Sequence, residues 1–234
     1  MTNVLGHCAA DDLLSFAEGT RFCTILADPP WQFTNRTGKM APEHRRLSRY
    51  STMTLREIVE LPVRHLATES AHLYLWVPNA LVAEGLKVME SWGFTYKTNI
   101  VWYKVRKDGG PDRRGVGFYF RNVTEMVLFG VRGKGARTLQ AGRTQPNLLS
   151  TRKREHSRKP DELYGIVESC SRGPYLEMFA RHSRAGWYQW GNQFQQIPEH
   201  HSRTAFVAAS KRLVTSYELA LDIPTPTRRT RRVS

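Results

Sequence analysis

Asp28-Pro29-Pro30-Trp31 stands between an apolar run, Phe22 to Ala27, and a polar, basic one, Gln32 to Tyr50. Two successive prolines fix φ and offer no backbone N–H, so their carbonyls are expected to be free to face a pocket in a rigid geometry. A carboxylate beside such a carbonyl makes a pair of acceptors. The exocyclic amino nitrogen of adenine is a poor nucleophile because its lone pair is delocalised into the ring. Acceptors for both of its N–H groups, Asp28 for one and the Pro29 carbonyl for the other, stabilise the positive charge that develops as the nitrogen attacks a methyl donor. Trp31 is expected to add a flat face for a base drawn out of its stack, an interaction worth about 1–3 kcal/mol per base. The scheme needs neither a metal nor a covalent enzyme intermediate. As a bare tetrapeptide the motif is equally a turn with an aromatic anchor; its place after an apolar strand and before a basic loop favours chemistry.

Elements able to position these residues alternate along the chain. Phe22 to Ala27, Ala71 to Val77, Thr98 to Tyr103, Val123 to Phe129 and Tyr175 to Ala180 are apolar or aromatic runs bounded by turn residues, which predicts five strands. Helical patterns lie between them. Thr54-Leu55-Arg56-Glu57 is a capping box, and Pro62 ends or kinks the helix it starts. Asn79 is expected to cap a helix over Ala80 to Trp92, with Leu81, Leu86, Val88 and Met89 inward and Gly93 closing it in the left-handed region. Pro160-Asp161-Glu162 opens a third helix. The alternation predicts an α/β fold with a mainly parallel sheet.

Two basic loops follow strand ends, where ligands of such sheets collect. The first, Gln32 to Tyr50, carries Arg36, Lys39, Arg45, Arg46 and Arg49; the second, Lys104 to Gly117, contains Gly109-Gly110-Pro111. Arg36 and Lys39 are candidate substrate contacts. Lysine plus arginine number 35 against 21 aspartate plus glutamate, a net charge of +14, which favours a polyanionic partner and argues against a small purine as substrate. Cys8, Cys23 and Cys170 lie far apart with no zinc-finger spacing, so no metal is expected and a reducing compartment is. With no leader pattern and no long apolar stretch, the expected location is cytoplasmic. Phe206, Leu213, Tyr217 and Leu221 recur at helical spacing, and a proline-spaced basic run ends the chain. The expected division is a main domain over 1–196, an appended helix over 197–222 and a disordered tail over 223–234.

Several further blocks accompany Asp-Pro-Pro-Trp: Tyr74-Leu75-Trp76-Val77, Asn99-Ile100-Val101-Trp102-Tyr103-Lys104, and Glu125 through Gly133. They continue with His156 through Glu162, Leu176-Glu177-Met178-Phe179-Ala180-Arg181, and Gly186-Trp187-Tyr188-Gln189-Trp190-Gly191-Asn192-Gln193. In this order they resemble the MTA-seventy family of adenine methyltransferases, relatives of the catalytic subunit that methylates adenosine in messenger RNA. The resemblance runs from about Cys8 to Gln193. It implies a Rossmann-like methyltransferase fold with helices on both sheet faces and the catalytic motif ahead of the cofactor-binding strand. It also implies S-adenosylmethionine as cofactor, surrounded by Lys159, Glu177, Arg181, Asn192 and Gln193, with Asp28 nearby and an acid upstream of the first strand, Asp11 or Asp12. On the substrate side it points to Tyr50, Asn122 and Glu125, the last two being equally a turn amide and a strand-start acid. The compact, basic form looks more like the bacterial and phage members, which are expected to act on DNA. RNA is the alternative polymer, and a non-catalytic nucleic-acid-binding module the alternative of another class; Asp28, Lys159 and Asn192 present together favour the enzyme.

Overall fold

Apolar runs between amphipathic helices bury both faces only as the middle layer of a helix–sheet–helix sandwich. The computed structural model, described over residues 9–33, 52–112, 119–152 and 158–191, has that architecture. Its strands are β1 (Phe22–Ala27), β2 (Ala67–Val77), β3 (Thr95–Val105), β4 (Thr124–Arg132), β5 (Leu148–Arg152), β6 (Tyr175–Met178) and β7 (Trp187–Trp190). They form one sheet in the order β5-β3-β4-β2-β1-β6-β7. All pairings are parallel except the two made by β4, which runs against β2 and β3. The sheet is mainly parallel, as expected. Strands β5 and β7 were not anticipated, and β2 and β3 begin earlier than their apolar runs suggest.

The helices are α1 (Ala9–Ala17), α2 (Leu55–Val59), α3 (Val63–Leu66), α4 (Val82–Ser91) and α5 (Glu162–Cys170). The capping box of α2 is formed: the Thr54 hydroxyl accepts from the Glu57 amide at 3.3 Å, and the Thr54 amide donates to the Glu57 carboxylate at 2.7 Å. Pro62 separates α2 from α3. Asn79 does not cap α4. It lies in a 3-10 turn, Asn79–Leu81, and its side-chain amide donates to Thr124 Oγ1 at 3.0 Å, tying that turn to the start of β4. Leu86 also departs from expectation: it is exposed, and Gly85, Val88 and Met89 form the buried face of α4. Gly93 closes the helix at φ +83°, as its lack of a Cβ allows.

Alternation along the strands divides the core in two. Ile25, Ala27, Leu73, Leu75 and Val77 pack with Leu13 of α1, Ile58 of α2 and Val88 and Trp92 near α4. On the other face Leu26, Tyr74, Trp76, Trp102, Val127 and Phe129 pack with Leu163, Ile166 and Val167 of α5. Helices therefore cover both faces. No helix among the described residues is long and apolar enough to cross a membrane.

This topology fixes where a ligand can sit. From β1 the chain goes first to β2 on one side and later to β6 on the other, and a crevice opens outside the carboxyl ends where the strand order reverses in this way. Because β4 is reversed, its start lies beside the ends of its neighbours, with Met126 opposite Val77 and Glu125 opposite Trp102.

Candidate active site

Asp28 is the first residue past β1, and its amide donates to the Met178 carbonyl at the end of β6. The elbow after it is clamped. The Trp31 amide donates to the Pro29 carbonyl at 2.8 Å, the Met53 amide to the Pro30 carbonyl at 2.8 Å, and Trp31 pairs with Met53 as an isolated bridge. The Trp31 ring is 6% exposed, and its indole N–H donates to the Trp76 carbonyl at 2.9 Å. Two expectations are thereby corrected. Trp31 offers no free stacking face, because burial against the end of β2 uses it as a pin. The proline carbonyls are not idle either: Pro30 holds Met53, and Pro29 keeps only its second lone pair for a ligand. Rigidity of the elbow thus comes from these bonds as well as from the fixed proline φ.

Opposite the elbow stands a ladder of alternating charges. Lys159 Nζ lies 3.0 Å from Asp28 Oδ1 and 3.2 Å from Glu125 Oε2, and Lys104 Nζ lies 2.5 Å from Glu125 Oε1. Both ammonium groups also sit over indoles, Lys159 at 5.0 Å from the Trp76 ring centre and Lys104 at 4.9 Å from that of Trp102. Burial would raise the Glu125 carboxyl, but the two lysines outweigh it and hold it down at about 2. Burial likewise works against the Lys159 ammonium, and Asp28 and Glu125 overcome it, raising its pKa above the ordinary value. Glu125 and Lys159 are therefore both ionised near neutrality, and the Asp28 carboxyl faces the Lys159 ammonium.

Beside the ladder is a cleft of about 280 Å³, lined by Leu26 and Asp28 at the end of β1, Trp76 from β2, Lys159 to Asp161, Leu163 and Tyr164 around the start of α5, Glu177 on β6, and Phe179 and Arg181 to Arg184 beyond it. Glu177 is oriented by two donors, the Tyr164 hydroxyl at 2.7 Å and the Gln189 amide at 2.6 Å. Burial pushes its carboxyl up, and these hydrogen bonds only partly oppose that. Phe179 holds φ at +64°, an uncommon conformation for a bulky residue, and packs edge-on against Trp190 as the chain turns from β6 into the cleft wall. Where β6 and β7 end, Gly191 is required by space: a Cβ there would stand 2.4 Å from the Ala180 carbonyl.

Four of the residues singled out by sequence, Asp28, Lys159, Glu177 and Arg181, line this one cleft. Glu125 joins them through Lys159. Asp12 is elsewhere occupied: its carboxylate accepts from the Trp190 indole at 2.6 Å, fastening α1 to the end of β7, and it is not among the lining residues. Asn122 is exposed and accepts from Asn79 at 3.3 Å, outside the ladder. Arg36, Lys39, Tyr50, Asn192 and Gln193 lie outside the described residues. Sequence reasoning missed Lys104, Tyr164 and Gln189, which hold the carboxylates of Glu125 and Glu177. Lys104 and Gln189 had a signal, since both stand in blocks shared with the family; Tyr164 had only its place in the first turn of α5.

The donor set suits S-adenosylmethionine: cations at Lys159 and Arg181 for a carboxylate, an oriented acid at Glu177 for ribose hydroxyls, and Leu26, Leu163 and Phe179 for apolar surface. The chain is similar to known methyltransferases. The model of the MT-A70 family matches residues 22–193. A protein of Medicago truncatula named putative N(6)-adenosine-methyltransferase MT-A70-like is 32% identical over 182 residues, 76% of this chain and 27% of that protein. The type II methyltransferase M.MunI of a Mycoplasma species is 30% identical over 187 residues, 73% of this chain and 77% of its own length. The human N(6)-adenosine-methyltransferase catalytic subunit METTL3 is 29% identical over 181 residues, 76% of this chain and 29% of that protein. The chain therefore spans about a quarter of the length of the plant relatives and about three quarters of M.MunI. A match that starts at the first residue of β1 and takes in both the elbow and the cleft admits one assignment: the chain belongs to the MT-A70 family, with its Rossmann-like α/β fold.

Proposed function

We propose that the protein methylates the 6-amino group of adenine in DNA, using S-adenosylmethionine. One observation carries the reading: the Asp28 carboxylate, at the tip of β1 on a clamped elbow, opens into the cleft that also holds Lys159 and Glu177. When bound, the cofactor supplies a methyl group on a sulfonium, an electrophile that needs no further activation. Lys159, Glu177 and Arg181 would hold it, together with Asn192 and Gln193. Asp28 then accepts one N–H of the adenine amino group and the free lone pair of the Pro29 carbonyl accepts the other, aiming the nitrogen lone pair and stabilising its developing positive charge. Asp28 orients more than it deprotonates; the surplus proton leaves after transfer. Lys159 has a second task. In the ligand-free cleft it neutralises Asp28, so the incoming amino group takes the place of an ammonium donor, and water need not be trapped on a bare carboxylate. Tyr50, Asn122, Glu125, Arg36 and Lys39 complete the substrate side in this reading, and Pro30 and Trp31 keep the elbow rigid.

DNA is favoured over RNA because the type II methyltransferase M.MunI is matched over 77% of its own length, whereas the adenosine methyltransferases named above are matched over 27% and 29%. A net charge of +14 suits either polymer. The proposed site of action is the cytoplasm.

Incubation of the purified protein with methyl-labelled S-adenosylmethionine and matched DNA and RNA pools, followed by digestion to nucleosides, tests polymer, base and activity together. Label in N6-methyldeoxyadenosine is expected. Label in N6-methyladenosine alone would replace DNA by RNA, and polymer retention without any label would make the protein a binding module.

A further inference from the structure

Tyr119 and Phe120 are the most exposed large apolar side chains of the described residues, at 94% and 86%, while the others in that class lie between 37% and 54%. They precede Arg121 and Asn122 and lead directly into β4. Phe120 is five residues before Glu125, so even a fully extended chain keeps it within about 18 Å of the charge ladder. That distance spans about five steps of a stacked strand, since bases rise about 3.4 Å per step. The pair is therefore within reach of a strand whose target base occupies the cleft. Two neighbouring aromatics held in water cost free energy unless something covers them.

We propose that Tyr119 and Phe120 form a stacking platform for a nucleobase near, but distinct from, the target adenine, holding the strand while that adenine enters the cleft. The occupant follows from chemistry. The platform is followed by Arg121 and preceded in sequence by Arg106, Lys107, Arg113 and Arg114, in a chain of net charge +14. Aromatic faces interleaved with cations are the surface that grips single-stranded nucleic acid, because every base has a π-face and every linkage a phosphate. Aromatic side chains and arginine also occur at protein interfaces, and it is the net charge of +14 that favours a polyanionic strand as the occupant. Trp31 is buried, whereas Tyr119 and Phe120 offer the most exposed aromatic faces among the described residues. The inference rests on the proposed nucleic-acid substrate but does not require methyl transfer.

The test is the affinity of the full chain for fluorescent single-stranded DNA and RNA 16-mers, each containing one adenine and abasic replacements placed in turn at neighbouring positions. The parental protein is expected to lose affinity at one or two abasic positions. The Tyr119→Ala/Phe120→Ala variant is expected to bind the intact oligonucleotide about 10- to 100-fold more weakly and to be indifferent to those abasic positions. Its salt dependence is expected to stay parental, because stacking releases no counterions. Tyr119→Trp/Phe120→Trp is expected to restore binding, and Tyr119→Leu/Phe120→Leu is not. Unchanged affinity of the alanine variant, equal losses on intact and abasic strands, or rescue by leucine would each overturn the platform. So would unchanged strand binding with an altered sedimentation coefficient, which would make the patch a subunit contact. A parental protein that binds strands as described yet transfers no label would instead overturn the proposed reaction and leave the platform standing.

Discussion

One face of β2 carries two polar networks of opposite character, set by three alternate residues. Near its carboxyl end Trp76 lies under Lys159, in a ladder whose charged side chains are 11% to 29% exposed. Further down, His72 and Tyr74 share the Ser171 hydroxyl, each at 2.7 Å, and the other His72 ring nitrogen lies 3.2 Å from the Ala136 carbonyl. His72 is 6% exposed and Ser171 fully buried. Burial lowers the His72 pKa and raises that of Tyr74, so both stay neutral. Charge is kept where a ligand or water can reach it, and a neutral network is used where neither can, because an unpaired buried charge costs far more than an unpaired dipole. In the proposed function the upper network serves the chemistry, while the lower one ties β2 to the end of α5.

The largest effect that sharpens this contrast is on catalysis. Asp28→Ala is expected to reduce methylation by at least about 100-fold, the scale of removing one preorganised partner of the developing charge, with cofactor binding by calorimetry within a few-fold of parental. Near-parental turnover would remove the upper network from the chemistry. Next comes stability: Ser171→Ala leaves His72 and Tyr74 without their shared partner, at a cost of about 1–3 kcal/mol. In a domain of this size the melting temperature then falls by about 2–4 °C per kcal/mol. Methylation at 25 °C is expected to stay within twofold, and a loss of turnover without a loss of stability would break the division of labour.

Lys104→Met acts between these limits. With one of its two cations gone, Glu125 moves from about 2 back towards its ordinary 4.5. Its folded carboxyl is depressed, so its stabilisation is present above 4.5 and is lost as the pH falls towards 2. The variant is therefore expected to be less stable at neutral pH and to unfold at a higher pH during acid titration followed by circular dichroism. Coincident acid transitions would show that the lysine does not hold the carboxylate. The smallest effect belongs to His72. Its folded pKa lies below the ordinary 6.5, so the stability it contributes is full above that value and declines as the pH falls below it. His72→Asn is expected to flatten the stability profile between pH 7 and 5 without changing turnover at neutral pH.

Much of this fold was legible because local rules and tertiary structure agree. Phe22–Ala27 is a run of apolar residues ended by an aspartate and two prolines, and it can be little else than a buried strand with a rigid exit. Thr54 to Glu57 satisfies its own helix start, so the box forms wherever the helix packs. Where local and distant partners compete, the reading failed. Asn79 has the side chain of a cap but finds Thr124 instead. Strands β5 and β7 are short, five and four residues, and pairing with β3 and β6 makes them strands. Nothing in Thr124–Arg132 reveals that it runs opposite to every other strand, since alternation has no direction.

The order of residues alone determined the chemical inventory: a carboxylate at a strand tip, a rigid proline pair, a lysine before a helix, an acid on a late strand and a large positive charge. Covalent neighbours and side-chain periodicity suffice for that. Only the tertiary structure decided which of these groups meet. Reversal of β4 delivers Glu125 to Lys159, the turn at Phe179 brings the chain past Glu177 along the cleft, and Trp76 takes up Trp31 and turns a candidate stacking face into a pin. Such contacts join segments far apart in the chain, and their energies exist only once the sheet has brought those segments together.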